Sequence, residues 1–248
     1  MKLIETSKAS LTQATYERLR DEVLSCRLTP GERINAKELA DLLEVNVGAV
    51  REALSRLTSE DLVVAEPQKG FRVAPISAED LRDLTAVRIE IESMCLQRAI
   101  SRGDVTWEAA ILSAYHRLSK AHQVSAADSL PNDERNWGYL HSEFHESLVA
   151  ACDSRWLLRL RAMLFRQNAR YRNLSVSLTA SDRDLDAEHK ALMEAMLARD
   201  AGKAVKLMTT HIELTTDAVL RHVERSGLFE GQANQPARYG FSTRRSPA

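Results

Sequence analysis

Apolar residues recur at helical spacing in three short segments near the start of the chain. Tyr16, Leu19, Val23 and Leu24 predict a helix from Thr12 to Cys26. Leu39, Leu42 and Leu43 predict a second from Ala36 to Leu43, and Val50, Ala53, Leu54 and Leu57 a third from Val47 to Glu60. Pro30 and Gly31 end the first helix, Asn35 suits the N-cap of the second, and Glu44-Val45-Asn46 breaks the second from the third. The period then shortens. Leu62–Ala65 and Phe71–Val73 predict two strands joined through Glu66-Pro67-Gln68-Lys69-Gly70. After the connector Ala74–Ser77 only helical patterns follow, over Ala78–Arg102, Thr106–Val124, Asn136–Cys152, Arg155–Asn173, Leu185–Arg199 and Ala201–Ser226. Ser125–Asp133 and Ser175–Asp184 predict loops. The expected fold is mostly α: an N-terminal winged helix-turn-helix over residues 1–75, a C-terminal all-helical bundle over 76–228, and a disordered tail over 229–248.

Composition narrows this modestly. Hydrophobic residues make up 44% of the 248, enough for sizeable cores, and few Gly and Pro favour helices over sandwiches or barrels. A net charge of -1 neither supports nor excludes nucleic acid, since a local positive face is sufficient for it. Cys26, Cys95 and Cys152 are scattered, which fits reduced thiols in a cytosol. The first residues turn polar at Glu5, too early for the apolar part of a signal peptide, and no apolar run approaches membrane-spanning length. A soluble, cytoplasmic protein without membrane contact is expected.

Two short helices joined by a tight turn leave the N-terminus of the second able to enter a major groove. Arg51 and Arg56 lie off the apolar stripe of that helix, and Lys69 with Gly70 forms the tip of a wing that could approach a phosphate or minor groove. Glycine at 70 suits a close backbone approach. The set Pro30-Gly31, Glu38-Leu39-Ala40, Val50-Arg51-Glu52-Ala53-Leu54 and Lys69-Gly70-Phe71-Arg72-Val73 resembles the head of GntR-family transcription regulators. The resemblance covers about the first third of the chain and implies DNA contacts by Lys37, Asn46, Arg51 and Gly70. Val47 departs from it, standing where the family often has an arginine, which implies an altered operator sequence.

Four histidines sit in apolar stripes of the later helices. His141 and His145 are four residues apart, so both imidazoles share one face a single turn apart. His189 shares its face with Leu185, Leu192, Met193 and Met196, and His211 lies between Leu207 and Leu214. His116, His122 and His222 fall nearer stripe edges. A lone inward histidine reads as a hydrogen-bonded core residue. Four buried together each need partners, and one divalent metal satisfies all of them.

Arg88 and Glu92 in VRIEIE, Phe144-His145, Glu188-His189 and Met208-Thr209-Thr210-His211 resemble the FCD ligand-binding domain, the FadR-type C-terminal half of GntR regulators. Metal-binding members of that group use an Asp and three His. His145, His189 and His211 match the histidines, and His141 stands where the Asp belongs. Four neutral nitrogen donors favour Zn²⁺, Ni²⁺ or Cu²⁺ over Mn²⁺ or Mg²⁺, with Zn or Ni the expected ion. His141 also admits a second reading, as a residue outside the ligand set. The HxxxH variation and the segments around VRIEIE and ARYR are similar to a group of carbon-starvation-induced, glutarate-responsive repressors.

The resemblance implies a small organic acid effector, bound through a carboxylate. Arg88 is its natural second anchor; an internal salt bridge to Glu92 is the alternative for that guanidinium. Arg161, Arg170 and Tyr171 are secondary pocket candidates. The expected function is a homodimeric transcription regulator, a repressor acting on a palindromic double-stranded operator, and not an enzyme. A metal-dependent hydrolase or lyase using the histidines is the competing class. Glu143 and Glu188 lie near the cluster in sequence, but neither is placed as an evident general base.

Overall fold

The structure, a computed structural model, describes residues 8–121, 137–175 and 183–226. The chain divides into two compact units, with the division between Ser77 and Ala78.

In the first unit α1 (Lys8–Leu24), α2 (Ala36–Leu43) and α3 (Val47–Thr58) stand against a three-stranded sheet of β1 (Arg33–Ile34), β2 (Val63–Glu66) and β3 (Gly70–Val73). The strand order is β1-β3-β2, antiparallel throughout, with Arg33 opposite Arg72 and Val63 opposite Val73. Asn35 caps α2 by accepting from the Lys37 and Glu38 amides. Glu44, in the left-handed region at φ 54°, closes the same helix. Leu19, Val23, Leu39, Val50, Leu54, Leu57, Val63 and Val73 form the core. Three expectations need correction here. β1 was not foreseen, the second strand starts one residue later than expected, and Leu42 is only half-buried while Ala40 is buried in its stead.

The second unit holds α4 (Ala78–Arg102), α5 (Val105–Lys120), α6 (Trp137–Val149), α7 (Arg155–Ser175), α8 (Leu185–Leu197) and α9 (Ala201–Ser226). Asp104 caps α5 and Asp184 caps α8, each accepting a backbone amide. Gly103 lets the chain turn tightly into α5, since a Cβ there would lie 2.0 Å from the buried Trp107 ring. The Trp107 indole donates to the Ser147 carbonyl at 3.0 Å and ties α5 to α6. Leu96, Ile111, Phe144, Leu148, Leu192, Met196, Met208 and Ile212 fill the core. α4 and α7 run antiparallel: Tyr171 bonds Asp80, Arg88 bonds Asn168 and Arg161 bonds Glu92. Among the described residues no helix is long and apolar enough to cross a membrane. The expected loop over 125–133, the tail over 229–248 and His122 lie outside the described residues.

Candidate metal centre and nucleic-acid interface

The four imidazoles converge. One ring nitrogen from each of His141, His145, His189 and His211 lies within 4.8 Å of the others, and all four residues are buried. α6 supplies two of them because four-residue spacing returns to the same face; α8 and α9 supply one each. A tetrahedral site with bonds of about 2.1 Å sets its nitrogens roughly 3.4 Å apart, so modest side-chain rotations close this cluster on an ion. His211 corrects one detail: Leu214 is exposed, and the inward stripe of α9 is Ala204, Met208, His211 and Ile212.

Around these rings the hydrogen bonding is uneven. His145 Nδ1 and His189 Nε2 are buried and have no hydrogen-bond partner among the described residues. An imidazole nitrogen left unpaired in a dry interior is costly, and coordination of a metal ion by such a nitrogen removes that cost. The residues therefore fit a divalent ion. Glu188 Oε2 lies 2.8 Å from His211 Nδ1, which orients that ring and leaves Nε2 for the cluster. Arg183, in turn, holds both Glu188 oxygens. Arg172 Nη1 sits 3.0 Å from His141 Nδ1, and Trp137 stacks on the same ring at 4.6 Å. A guanidinium only donates, so Nδ1 accepts and the neutral His141 ring carries its proton on Nε2. That N–H points at His145 Nε2, 3.1 Å away. His141 thus turns an N–H toward the cluster, whereas His211, which donates its Nδ1–H to Glu188, turns an Nε2 lone pair toward it.

Burial, followed by the repulsion of nearby cations, pushes His141 and His145 well below the usual histidine range. Burial likewise lowers His189 to about 3, with His211 adding to the effect, and lowers His211. The cluster is neutral at physiological pH, the state in which imidazole binds metal. Glu188 goes the other way: burial raises it, but hydrogen bonds from His211 and Arg183 outweigh burial and bring it to about 2.

Beside the histidines lies a buried positive region. Arg88, Arg161 and Arg172 all face the Phe165 ring, with guanidinium carbons 5.2, 5.4 and 4.8 Å from its centroid. Arg161 is matched by Glu92, with Nε 2.8 Å from Oε2, and also donates to the His145 carbonyl. This disposes of one alternative: Glu92 is taken by Arg161, and Arg88 donates instead to the neutral Asn168 at 3.0 Å. Arg88 Nε has no hydrogen-bond partner among the described residues. Burial lowers Arg88 to about 10, and burial with the charge of Arg88 lowers Arg172 to about 9, yet both stay charged at neutral pH. Of the secondary candidates, Arg161 lies at the site, Tyr171 bonds Asp80, and Arg170 is buried. Arg172, Arg183, Glu188 and Asn168 escaped sequence reasoning as partners. Only the helical phase of Arg172, eleven residues past Arg161, hinted at one of them.

On the first unit Lys37, Asn46, Arg51, Lys69 and Gly70 are all exposed. Asn46 caps α3 by accepting from the Ala49 amide at 2.8 Å. Arg56 is engaged within the unit: its guanidinium lies 3.8 Å from the Tyr16 ring centroid and donates to Gln13. At the wing, Arg72 pairs with Glu66 at 2.8 Å. Gly70 has φ +89°, and a Cβ there would meet nothing within 4 Å. Within the chain, backbone conformation rather than crowding requires glycine at this position.

Residues 11–73 match the family model described as bacterial regulatory proteins, gntR family, and residues 83–214 match that of the FCD domain. The chain belongs to the GntR family and carries its FCD domain. It is 39% identical over 210 residues, 85% of each chain, to an uncharacterized HTH-type transcriptional regulator, BphR, of Paraburkholderia xenovorans. It is 35% identical to the HTH-type transcriptional repressor GlaR of Escherichia coli, covering 79% of this chain and 90% of that one. Among solved structures, a GntR-family regulator from Pseudomonas syringae shares 26% identity with a TM-score of 0.52, covering 89% of this chain and 90% of that one. E. coli McbR/YncC shares the fold at 19% identity and a TM-score of 0.68, covering 86% and 98%. The protein is a DNA-binding transcriptional regulator of the GntR/FCD type, and this family and these relatives are regulators, not enzymes.

Proposed function

We propose that this regulator is a cytoplasmic, homodimeric repressor whose helical unit senses a small organic acid and so alters the affinity of the winged units for a palindromic operator. The observation that carries the reading is the orphaned Nε of buried Arg88 beside a neutral four-histidine cluster. A buried guanidinium hydrogen-bonded to a neutral amide is stabilised when a carboxylate arrives and forks onto it. The cluster's nitrogen donors favour Zn²⁺ or Ni²⁺, and such an ion when bound supplies a Lewis-acidic seat for one carboxylate oxygen. His145, His189 and His211 are the primary ligands. His141 joins them as fourth ligand only by giving up its hydrogen bond from Arg172; otherwise it offers its Nε2–H to the bound acid. Lys37, Asn46, Arg51, Lys69 and Gly70 meet DNA, with Arg51 reading bases from the exposed face of α3 and the wing pair meeting phosphate. The repressor GlaR among the relatives supports the sign of regulation. Nothing favours the hydrolase or lyase alternative.

A thermal-shift screen of C4 to C6 dicarboxylates and hydroxy acids, with and without Zn²⁺ or Ni²⁺, tests the sensor. A metal-dependent hit should also release an operator duplex obtained by in vitro selection, and Arg88→Gln should lose the response while keeping its metal. Acids that neither stabilise the protein nor alter DNA affinity at millimolar concentration contradict the reading.

A further inference from the structure

Two histidines of the cluster have an arginine behind them, and they differ in what lies between. At His211 a carboxylate intervenes: Arg183 holds both Glu188 oxygens, and Glu188 Oε2 takes the Nδ1–H at 2.8 Å. At His141 no carboxylate intervenes, and Arg172 Nη1 lies 3.0 Å from Nδ1 itself. The consequence falls on the opposite nitrogen. His141 Nε2 lies 3.1 Å from His145 Nε2, close to the roughly 3.4 Å between two ligands of one tetrahedral ion. An ion between these nitrogens needs a lone pair from each. A neutral imidazole has one, and the Arg172 contact draws it to Nδ1, so His141 turns an N–H toward the place of the ion. A ring flip exchanges nitrogens for carbons and gives no relief, and Trp137 stacks on the ring at 4.6 Å. Only relocation of the proton makes His141 a ligand.

Arg172 decides where that proton sits. A guanidinium has no lone pair and does not accept an Nδ1–H, whereas a carboxylate between Arg172 and His141 accepts from both. Arg172 stands in the last turn of α7 with its guanidinium 4.8 Å from the Phe165 centroid, and Arg88 faces the same ring from 5.2 Å. An entering carboxylate therefore meets two guanidinium groups. We infer that Arg172 gates the fourth ligand position, holding His141 off the metal until the carboxylate of a small acid enters at Nδ1. One proton then leaves Nε2 for water and one reaches Nδ1 from water, so no net charge moves. The acid orients His141 as Glu188 orients His211, and Nε2 completes a four-histidine site. Metal and acid raise each other's affinity by the same factor.

The gate rests on the metal and acid reading proposed above, and its test separates the two. Competition with a chromogenic chelator measures the zinc affinity of the full chain. Arg172→Gln offers the Nδ1–H a carbonyl oxygen. With no acid present it should bind Zn²⁺ about tenfold more tightly than the parent, the lower range for a changed partner of a metal-bound histidine. The same substitution in a His141→Phe chain, whose ring keeps the Trp137 stack but has no nitrogen, should give no gain; His141→Ala replaces it if that chain does not fold. Acetate in place of chloride at equal ionic strength should tighten zinc in the parent and leave Arg172→Gln unchanged. An equal gain with and without His141 would reduce Arg172 to a nearby repelling charge and overturn the gate, as would no gain at all. Acetate that acts alike on parent and Arg172→Gln, or on neither, would overturn the exchange at Nδ1. A parent chain that binds no zinc would sink the metal reading and the gate with it.

Discussion

Acidification of the metal-free protein from pH 7 to 5 should strongly destabilise the helical unit. In the unfolded chain His141, His145 and His189 take up protons near 6.5; in the folded unit burial keeps them neutral far below that. A lowered folded pKa leaves stability intact above about pH 6.5 and erodes it as pH falls, because only the unfolded state gains protons. Between pH 7 and 5 each such histidine costs about 2 kcal/mol, so the three together cost about 6 kcal/mol. A domain has a net stability of about 5–15 kcal/mol, so this loss reaches most of the total. Glu188 acts in the same direction but at lower pH: its lowered carboxyl contributes stability above about pH 4.5 that is lost as pH falls toward 2, so it adds little to the loss in this window. Guanidinium denaturation followed by far-UV circular dichroism, on chelator-treated protein at pH 8, 7, 6 and 5, measures the effect. The expected midpoint is flat from pH 8 to 7 and then falls steeply, and added Zn²⁺ moves the fall to lower pH because the bound ion competes with protons for the rings. A midpoint unchanged between pH 7 and 5 would refute the buried neutral cluster.

Two further outcomes follow from single contacts. Arg161→Met leaves Glu92 buried and charged without its partner, a loss of about 3–5 kcal/mol that Glu92→Leu in the same chain should largely recover; chemical denaturation of both variants checks it. Arg51→Ala removes an exposed cation with no core contact, so melting should be unchanged while discrimination between operator and random DNA falls by about 1–3 kcal/mol; equal affinities for both in parent and variant would exclude Arg51 as a base reader.

Helices with amphipathic stripes were legible in the sequence to the residue, as for Ala36–Leu43 and Ala78–Arg102, and so was the start of α9 at Ala201. Their apolar faces were continuous and their ends carried cap or stop residues. Ends lacking such signals drifted: α8 stops at Leu197, and the turn that follows places Arg199 at φ 53°, a conformation that composition does not announce. β1 was missed because two residues have no period, and Arg33–Ile34 is a strand only through pairing with β3. The histidine cluster was legible because each imidazole occupied an apolar stripe. The partners that orient those rings were not. Arg172 and Arg183 reach His141 and Glu188 from other elements or from the approach to α8, where only the folded chain brings them together. The Arg88–Glu92 pair, the alternative reading for that guanidinium, is not made for the same reason: local spacing allowed it, but Arg161 from α7 takes Glu92.

Metal content is the most direct measure of the sensor at the centre of this account. After equilibrium dialysis against Zn²⁺ or Ni²⁺, elemental analysis should find one tightly held ion per chain in the parent protein. A folded His145→Ala/His189→Ala variant should hold none, because it lacks the two rings with orphaned nitrogens. Equal metal in both proteins, or none in either, would contradict the account.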